Sequence, residues 1–391
     1  MDALRRRHVE RCGLGDLAAK VLAGERLSRE DGLRLCGDAD LMAVGVLANQ
    51  VRERLHGDAA FYIINQHINH TNVCVAGCRF CAFYRTAKQP DAYVLSLEDV
   101  ERRMREHERD PIREIHMVGG INPDLPFTYY TDVIRTMKRV RPEVHVKAFT
   151  MVEIAAMAET FEMGVGEVLE RLKEAGLGSI PGGGAEILTD HAHQVLFKGK
   201  IDHHAWMEIA KTAHRLGLKS NATMMFGHVE SLEERIEHLL QLREAQDETH
   251  GFMAFIPLAF HPENTRLSHL PKPTAAEELR MVAAGRLMLD NFPHVKAYWI
   301  MMTPRVAQTA LWFGADDFDG TVVTEEIYHR AGSTSPQAIS RAQILALIEE
   351  AGRRPVERDT LYNPVAPGDT VTAPPRSPAP AARPADRPGA A

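Results

Sequence analysis

The strongest constraint on this chain is a regular alternation of short strand-like runs and helix-like stretches from about residue 60 to residue 323. The runs are AFYIINQHI (60–68), IHMV (115–118), HVKAF (145–149), a short run at 177–180, SNATMMF (220–226), GFMAFIPLAF (251–260), HVKAYWI (294–300) and a last one near 320–323. Apolar residues at helical spacing lie between them, at about 97–109, 128–140, 164–175, 204–216, 232–246, 275–291 and 304–312. Strands joined through helices run parallel, because a tight turn cannot join parallel neighbours. Eight such units predict an α/β fold closed into a (β/α)8 barrel of the TIM type. An open doubly wound sheet is the alternative, but no strand ends in the G-x-G-x-x-G turn that favours it.

Residues 1–57 read as an N-terminal helical extension, with Leu14, Leu17, Ala18, Val21 and Leu22 and then Leu41, Val44, Leu47 and Val51 at helical spacing. Residues 58–363 read as the barrel domain. The segment 364–391 holds no Leu, Ile, Met or aromatic residue and is rich in Pro and Ala. It cannot bury enough apolar surface to order itself and is expected to be a disordered tail. A net charge of −7 makes nucleic acid or an anionic membrane a poor partner for the surface as a whole. No window approaches a membrane span, and Arg5, Arg6 and Arg7 have no apolar run behind them, so neither a membrane anchor nor a secretory signal is expected. A cytoplasmic protein is the expectation.

Barrels of this kind place their chemistry at the C-terminal ends of the strands. The residues that follow the expected strands are correspondingly polar: Asn69, His70 and Asn72 after the first, Gly119, Gly120 and Asn122 after the second, Thr150 and Glu153 after the third. Glu186, His228, Glu230, His261, Glu263 and Asn264 follow later ones, and Asp316, Asp317 and Glu325 lie near the last. The cysteines add a sharper signal. Five is an odd number, which argues against a disulfide framework, and three are clustered as Cys74-x3-Cys78-x2-Cys81. One short loop bearing three thiolates can wrap three corners of an iron–sulfur cube and leave one iron open. Two other readings remain: a zinc site that adds His70 as fourth ligand, and a redox Cys78–Cys81 pair that leaves Cys74 without a role. Cys12 and Cys36 read as structural thiols.

The cysteine loop, with Phe80 before Cys81, resembles the signature of radical S-adenosylmethionine (SAM) enzymes. The stretches NHTNVCVAGCRFCAFYR (69–85), AYVLS (92–96), GGINPDLPFTYY (119–130), PGGGAEIL (181–188), TMMFGHVES (223–231) and GFMAFIPLAFHPENT (251–265) resemble the branch that makes menaquinone and deazaflavin precursors. HPENT (261–265), KAYWIMM (296–302), GADDFDGTVV (314–323) and ERDTLYN (357–363) are most similar to the aminofutalosine synthases of the futalosine route to menaquinone. Phe83-Tyr84-Arg85 is the pattern of the neighbouring cyclic dehypoxanthine futalosine synthases, which therefore stay open beside them, as does a deazaflavin-precursor (FO) synthase-like enzyme. A zinc-stabilised barrel without redox chemistry is the distant alternative.

The resemblance implies a [4Fe–4S] cluster on Cys74, Cys78 and Cys81, with S-adenosylmethionine on the fourth iron and consumed as co-substrate. It implies a one-electron donor such as flavodoxin or ferredoxin. It also implies addition of the 5′-deoxyadenosyl radical to 3-[(1-carboxyvinyl)oxy]benzoate, with loss of a carboxyl group as CO2 or bicarbonate. On that reading Phe80 shelters the adenine, and Gly119 and Gly120 allow close backbone approach to the methionine amino group. Glu153 or Glu186 accepts hydrogen bonds from the ribose hydroxyls or the methionine ammonium. A substrate with two carboxylates needs donors, and His70, Asn72, Arg85, His228, His261 and Asn264 are the candidates. His191, His193, His203 and His204 are expected at the surface. Pro181-Gly182-Gly183-Gly184 reads as a backbone anion nest or a rim hinge. Met224, Met225, Met301 and Met302 read as core filler.

Overall fold

Parallel pairing organises the computed structural model, which describes residues 1–197 and 199–366. The strands are β1 (Ala59–Ile63), β2 (Asn65–Ile68), β3 (Glu114–Met117), β4 (His145–Ala148), β5 (Leu177–Ile180), β6 (Lys219–Phe226), β7 (Phe252–Ala259), β8 (His294–Val295), β9 (Asp317–Gly320) and β10 (Arg354–Glu357). Strands β2 to β8 form one seven-stranded parallel sheet in sequence order, curled as a barrel wall. Helices fill the crossovers, as parallel neighbours require. β1 lies between β9 and β10 in a second, three-stranded parallel sheet.

β1 and β2 are two halves of one extended segment that changes partners at Ile64. At the other end of the wall, Lys296 bridges Asp317 in parallel, and the Ala297 N–H donates to the Asp317 carbonyl at 2.8 Å. β8 therefore abuts β9, and β9 abuts β1, which brings the two ends of the wall together. The expected α/β barrel is the fold found.

Local sequence fixes the helix starts. Ser96 with Asp99, Thr150 with Glu153, Ser231 with Glu234 and Ser340 with Gln343 form reciprocal capping boxes, each tying down orphan N–H groups of a first turn. Four helices, Ala3–Arg11, Gly15–Ala23, Arg29–Cys36 and Leu41–His56, precede the strands. The last packs closely on the barrel: a Cβ at Gly45 would come within 2.6 Å of the Phe313 ring. Arg280 donates to the carbonyls of Leu35 and Ala39 at 3.0 and 2.8 Å, which fastens the end of the third. Met224, Met225, Met301 and Met302 are all buried, as is Cys36, while Cys12 is only half-buried.

Four expectations need correction. The strand expected over 294–300 is two residues long, because Trp299 already starts a helix and its indole N–H donates to the Gly320 carbonyl at 2.9 Å. The strand expected near 320–323 is β9, three residues earlier, so Asp316 and Asp317 lie at the opening of that strand rather than beyond its C-terminal end. They are buried among cations: Asp317 meets Arg358 at 2.6 Å, and Asp316 meets Arg286 and, at 2.6 Å, His294. His193 and His203 are buried, not surface residues: His193 on the helix Asp190–Leu196 and His203 at the start of the helix His203–Arg215 bring their rings edge to face at 5.7 Å. Pro364 and Val365, read as the opening of a tail, are paired with the preceding chain: Pro364 bridges Arg358 and the Val365 N–H donates to the Glu357 carbonyl. The rest of that tail, 367–391, lies outside the described residues. Among the described residues no helix is long and apolar enough to cross a membrane.

Candidate active site

A cavity of about 260 Å3 opens at the C-terminal ends of the strands. Cys74, Cys78 and Cys81 line it, together with Phe80 and Phe83 from the same loop. Backbone pairing holds that loop. The Cys74 N–H donates to the Arg85 carbonyl at 2.9 Å, the Val75 N–H to Ile121 at 3.0 Å and the Arg79 N–H to Leu196 at 2.9 Å. Gly77 turns the chain between the first two cysteines at φ 56°, where a side chain would be strained.

The donor set fits a cluster better than a single ion. Burial pushes the Cys78 thiol up to about 12 and raises Cys81, so thiolates here need a positive charge beside them. Backbone N–H groups of Phe83 and Tyr84 point at the Cys81 sulfur, as they do around cluster sulfurs. Among the described residues the three sulfurs do not gather within 4.8 Å of one another, whereas thiolates on one zinc ion would.

Four other expected cofactor residues divide. Glu153 lines the cavity. Its carboxylate accepts the Gly119 N–H at 3.0 Å and the Thr150 N–H and hydroxyl at 2.8 and 2.9 Å. Burial still pushes its carboxyl up to about 7. Glu186 lines the cavity at φ 48° and is paired with Lys200 at 2.5 Å. Gly119 lines the cavity and Gly120 lies behind it. Both positions exclude a side chain for packing reasons alone: a Cβ would come within 2.3 Å of the His70 ring at Gly119 and 2.1 Å of the Val73 carbonyl at Gly120.

The six expected substrate donors are not on the cavity wall among the described residues. His70 is fully buried under Gly119, ringed by Tyr129, Tyr130 and Phe149, with both ring nitrogens unpartnered. Burial lowers it to about 4. Asn72 exchanges hydrogen bonds with the Asp91 carbonyl and the Tyr93 N–H, both at 2.8 Å. Arg85 pairs with Asp91 at 2.7 Å and donates to the Ala82 and Tyr84 carbonyls. His228 meets the Met225 carbonyl at 2.9 Å and Glu230 at 2.9 Å. His261 meets the Met301 carbonyl at 3.0 Å, one ring behind the wall residue Tyr328. Asn264 is exposed and donates to the Arg330 carbonyl at 2.9 Å. Each of these donors is spent on a loop or packed away from the cavity.

The wall contains other polar groups instead: His67, His116, Lys147, Lys200, Lys296, Asp319, Asn221 and Tyr298. Several lie inside strands, where the position after a strand gives no signal of them. Lys200 sits over the faces of Phe80 and Phe197, 5.1 and 4.7 Å from their centroids. Gly183 and Gly184 of the Pro181 turn also line the cavity.

Comparison with known proteins gives this geometry its family. Residues 68–242 match the radical SAM superfamily, and 249–369 match the CofH/MqnC C-terminal region. The chain belongs to the radical SAM superfamily. That membership implies a [4Fe–4S] cluster and S-adenosylmethionine, and together with relatives that are synthases it makes the chain an enzyme that forms a C–C bond by radical chemistry. Among radical SAM relatives, the aminodeoxyfutalosine synthase of Thermus thermophilus is 44% identical over 91% of this chain and 97% of its own length. That of Streptomyces coelicolor is 41% identical over 89% and 92%. The cyclic dehypoxanthine futalosine synthase of Halalkalibacterium halodurans is 40% identical over 88% and 92%. Among solved structures, methylornithine synthase (PylB) superposes with a TM-score of 0.69 at 16% identity, covering 87% of this chain and 97% of that one. The FeFe-hydrogenase maturase HydG of Carboxydothermus hydrogenoformans gives 0.69 at 16%, covering 91% and 82%. These two share the fold.

Proposed function

We propose that this radical SAM enzyme is an aminodeoxyfutalosine synthase: it joins the 5′-deoxyadenosyl group of S-adenosylmethionine to 3-[(1-carboxyvinyl)oxy]benzoate, giving 6-amino-6-deoxyfutalosine, methionine and CO2 or bicarbonate for menaquinone biosynthesis. The observation that carries this reading is 44% identity to a relative of that name over 97% of its length. Cys74, Cys78 and Cys81 would hold the cluster. When bound and reduced by a donor such as flavodoxin or ferredoxin, the cluster supplies the electron that cleaves S-adenosylmethionine. Phe80, Gly119, Glu153 and Glu186 surround the space beside the cysteine loop, where the cofactor would be oriented. Glu153 keeps both oxygens turned to the Gly119 and Thr150 N–H groups, so it fixes the backbone edge on which a methionine ammonium would rest. The apolar wall residues Ile256, Leu258 and Ile327 exclude water from a reactive radical. A cytoplasmic location suits such an enzyme.

The test is an anaerobic incubation of the reconstituted protein with S-adenosylmethionine, dithionite and 3-[(1-carboxyvinyl)oxy]benzoate. The expected result is an adenosylated product formed with methionine in equal amount. Free 5′-deoxyadenosine with no adduct would overturn the reading. The cyclic dehypoxanthine futalosine synthase reading is supported by Phe83-Tyr84-Arg85 and by 40% identity to a relative of that name, and the same incubation with that enzyme's nucleoside substrate separates the two.

A further inference from the structure

His67, His116 and Lys147 occupy one level of the barrel. Strand register pairs His67 with His116 and His116 with Lys147. Residues in register on neighbouring parallel strands point to the same side, here the interior, and all three line the cavity. Each is the last residue but one of its strand, before Ile68, Met117 and Ala148, so this level is about 3 Å below the strand ends at the usual rise per residue. The cysteine loop covers the same cavity from above.

The two imidazoles stack, with centroids 4.4 Å apart and planes 20° from parallel. His67 is 9% exposed. Among the described residues neither ring has a hydrogen-bond partner in the protein. Buried polar groups are normally paired, so two adjacent unpaired imidazoles facing a cavity mark a place where a ligand completes the bonding. Burial, the first cause in each case, lowers both histidines, which therefore face the cavity neutral, each with an N–H to donate.

The carboxylates nearby face other groups. Lys147 meets Glu114 at 2.7 Å, and Glu114 lies one level lower, outside the cavity wall. Asp319 is paired with Lys296. Glu325 accepts the N–H groups of Ile327 and Tyr328 at 2.8 and 3.0 Å. What this level offers is two neutral imidazoles, each with one N–H to donate and one nitrogen to accept, beside a lysine. Above them, Ile256, Leu258 and Phe83 are apolar walls suited to a ring.

We propose that His67, His116 and Lys147 form a carboxylate-binding subsite at the base of the cavity, which holds an aryl carboxylate with its ring directed up toward the cysteine loop. That the acid is the benzoate end of 3-[(1-carboxyvinyl)oxy]benzoate rests on the function proposed above. The subsite itself rests on the register, the stacking and the unpaired donors. These three residues are binding residues for the acid end and leave the radical chemistry to the other end of the cavity.

The test uses cluster-reconstituted enzyme and two probes, isophthalate and its neutral diamide, measured by titration calorimetry. Wild type is expected to bind the diacid at least tenfold more tightly than the diamide. H116F keeps a ring in the stack and removes the donor. K147M/E114Q leaves both imidazoles in place and no buried charge without its partner, so it stands as a second variant if H116F loads iron poorly. Each is expected to weaken isophthalate binding tenfold to a hundredfold, about the worth of one charge-assisted hydrogen bond. Each should also raise KM for the enolpyruvyl benzoate by a similar factor. Equal binding of diacid and diamide by wild type, or unchanged isophthalate affinity in both variants, overturns the subsite. If wild type binds the diacid and the variants lose it, yet the enolpyruvyl benzoate gives no adduct, the subsite stands and the proposed function falls.

Discussion

Lys200 places its ammonium 2.5 Å from a carboxylate oxygen of Glu186, with both side chains nearly buried at the cavity wall. A charge left there without its partner is costly, because water cannot replace the lost neighbour. K200M is therefore expected to destabilise the apoprotein by about 3 kcal/mol or more, and adding E186Q is expected to restore most of that loss. Urea unfolding of the single and double variants measures both. Equal midpoints for K200M and K200M/E186Q would show that the pair is not coupled.

The cysteine loop sets a second expectation. Cys78→Ala should drop bound iron from about four per chain toward zero, and S-adenosylmethionine cleavage should vanish with it. Metal analysis after anaerobic reconstitution is the measurement. Zinc without iron in the wild-type protein would instead support the mononuclear alternative.

Gly119 and His70 are in van der Waals competition for one space. G119A is expected to cost about 1–3 kcal/mol, because the new methyl overlaps the His70 ring. G119A/H70A should be more stable than G119A alone, even though H70A by itself leaves a hole in the aromatic cage. A double-mutant cycle by thermal or urea unfolding reports the coupling.

Glu230 gives a pH expectation. Burial opposes its charge, but the hydrogen bond and charge of His228, the charge of Arg235 and the Gly227 N–H outweigh burial and hold it down to about 2. The unfolded chain would titrate near 4.5. A carboxyl lowered on folding stabilises fully above the unfolded value, and the stabilisation fades as pH falls from about 4.5 toward 2. The difference in unfolding free energy between wild type and E230Q should be of the order of 3 kcal/mol at pH 7 and shrink over that window. A gap that stays constant from pH 7 to pH 3 would exclude the ionised carboxylate as its source.

The sequence made the barrel readable because alternation and helix spacing are local, and the cysteine loop readable because three ligands lie within eight residues. β9 was misplaced for the opposite reason. Asp-Phe-Asp-Gly carries charges that only become tolerable beside Arg358 and Lys296, which lie far away in the chain. His67, His116 and Lys147 sit in short strands, NQHI, EIHM and HVKA, that mix polar and apolar residues and so do not mark them out. Their common level follows from register, and register is a property of three strands together. His228 and Asn264 were readable as residues that follow strands, but not as side chains turned back onto the carbonyls of Met225 and Arg330.

The segment that begins the barrel has partners at the far end of the chain, and this matters while the protein is being made. β1 pairs with residues 317–320 and 354–357. During synthesis it emerges with neither partner and remains an open parallel edge until nearly all of the described chain has left the ribosome. The helix Leu41–His56 and β3 can form against it or its continuation earlier, but the seam cannot. A stop between residues 320 and 354 would leave β1 with β9 on one side and an open edge on the other.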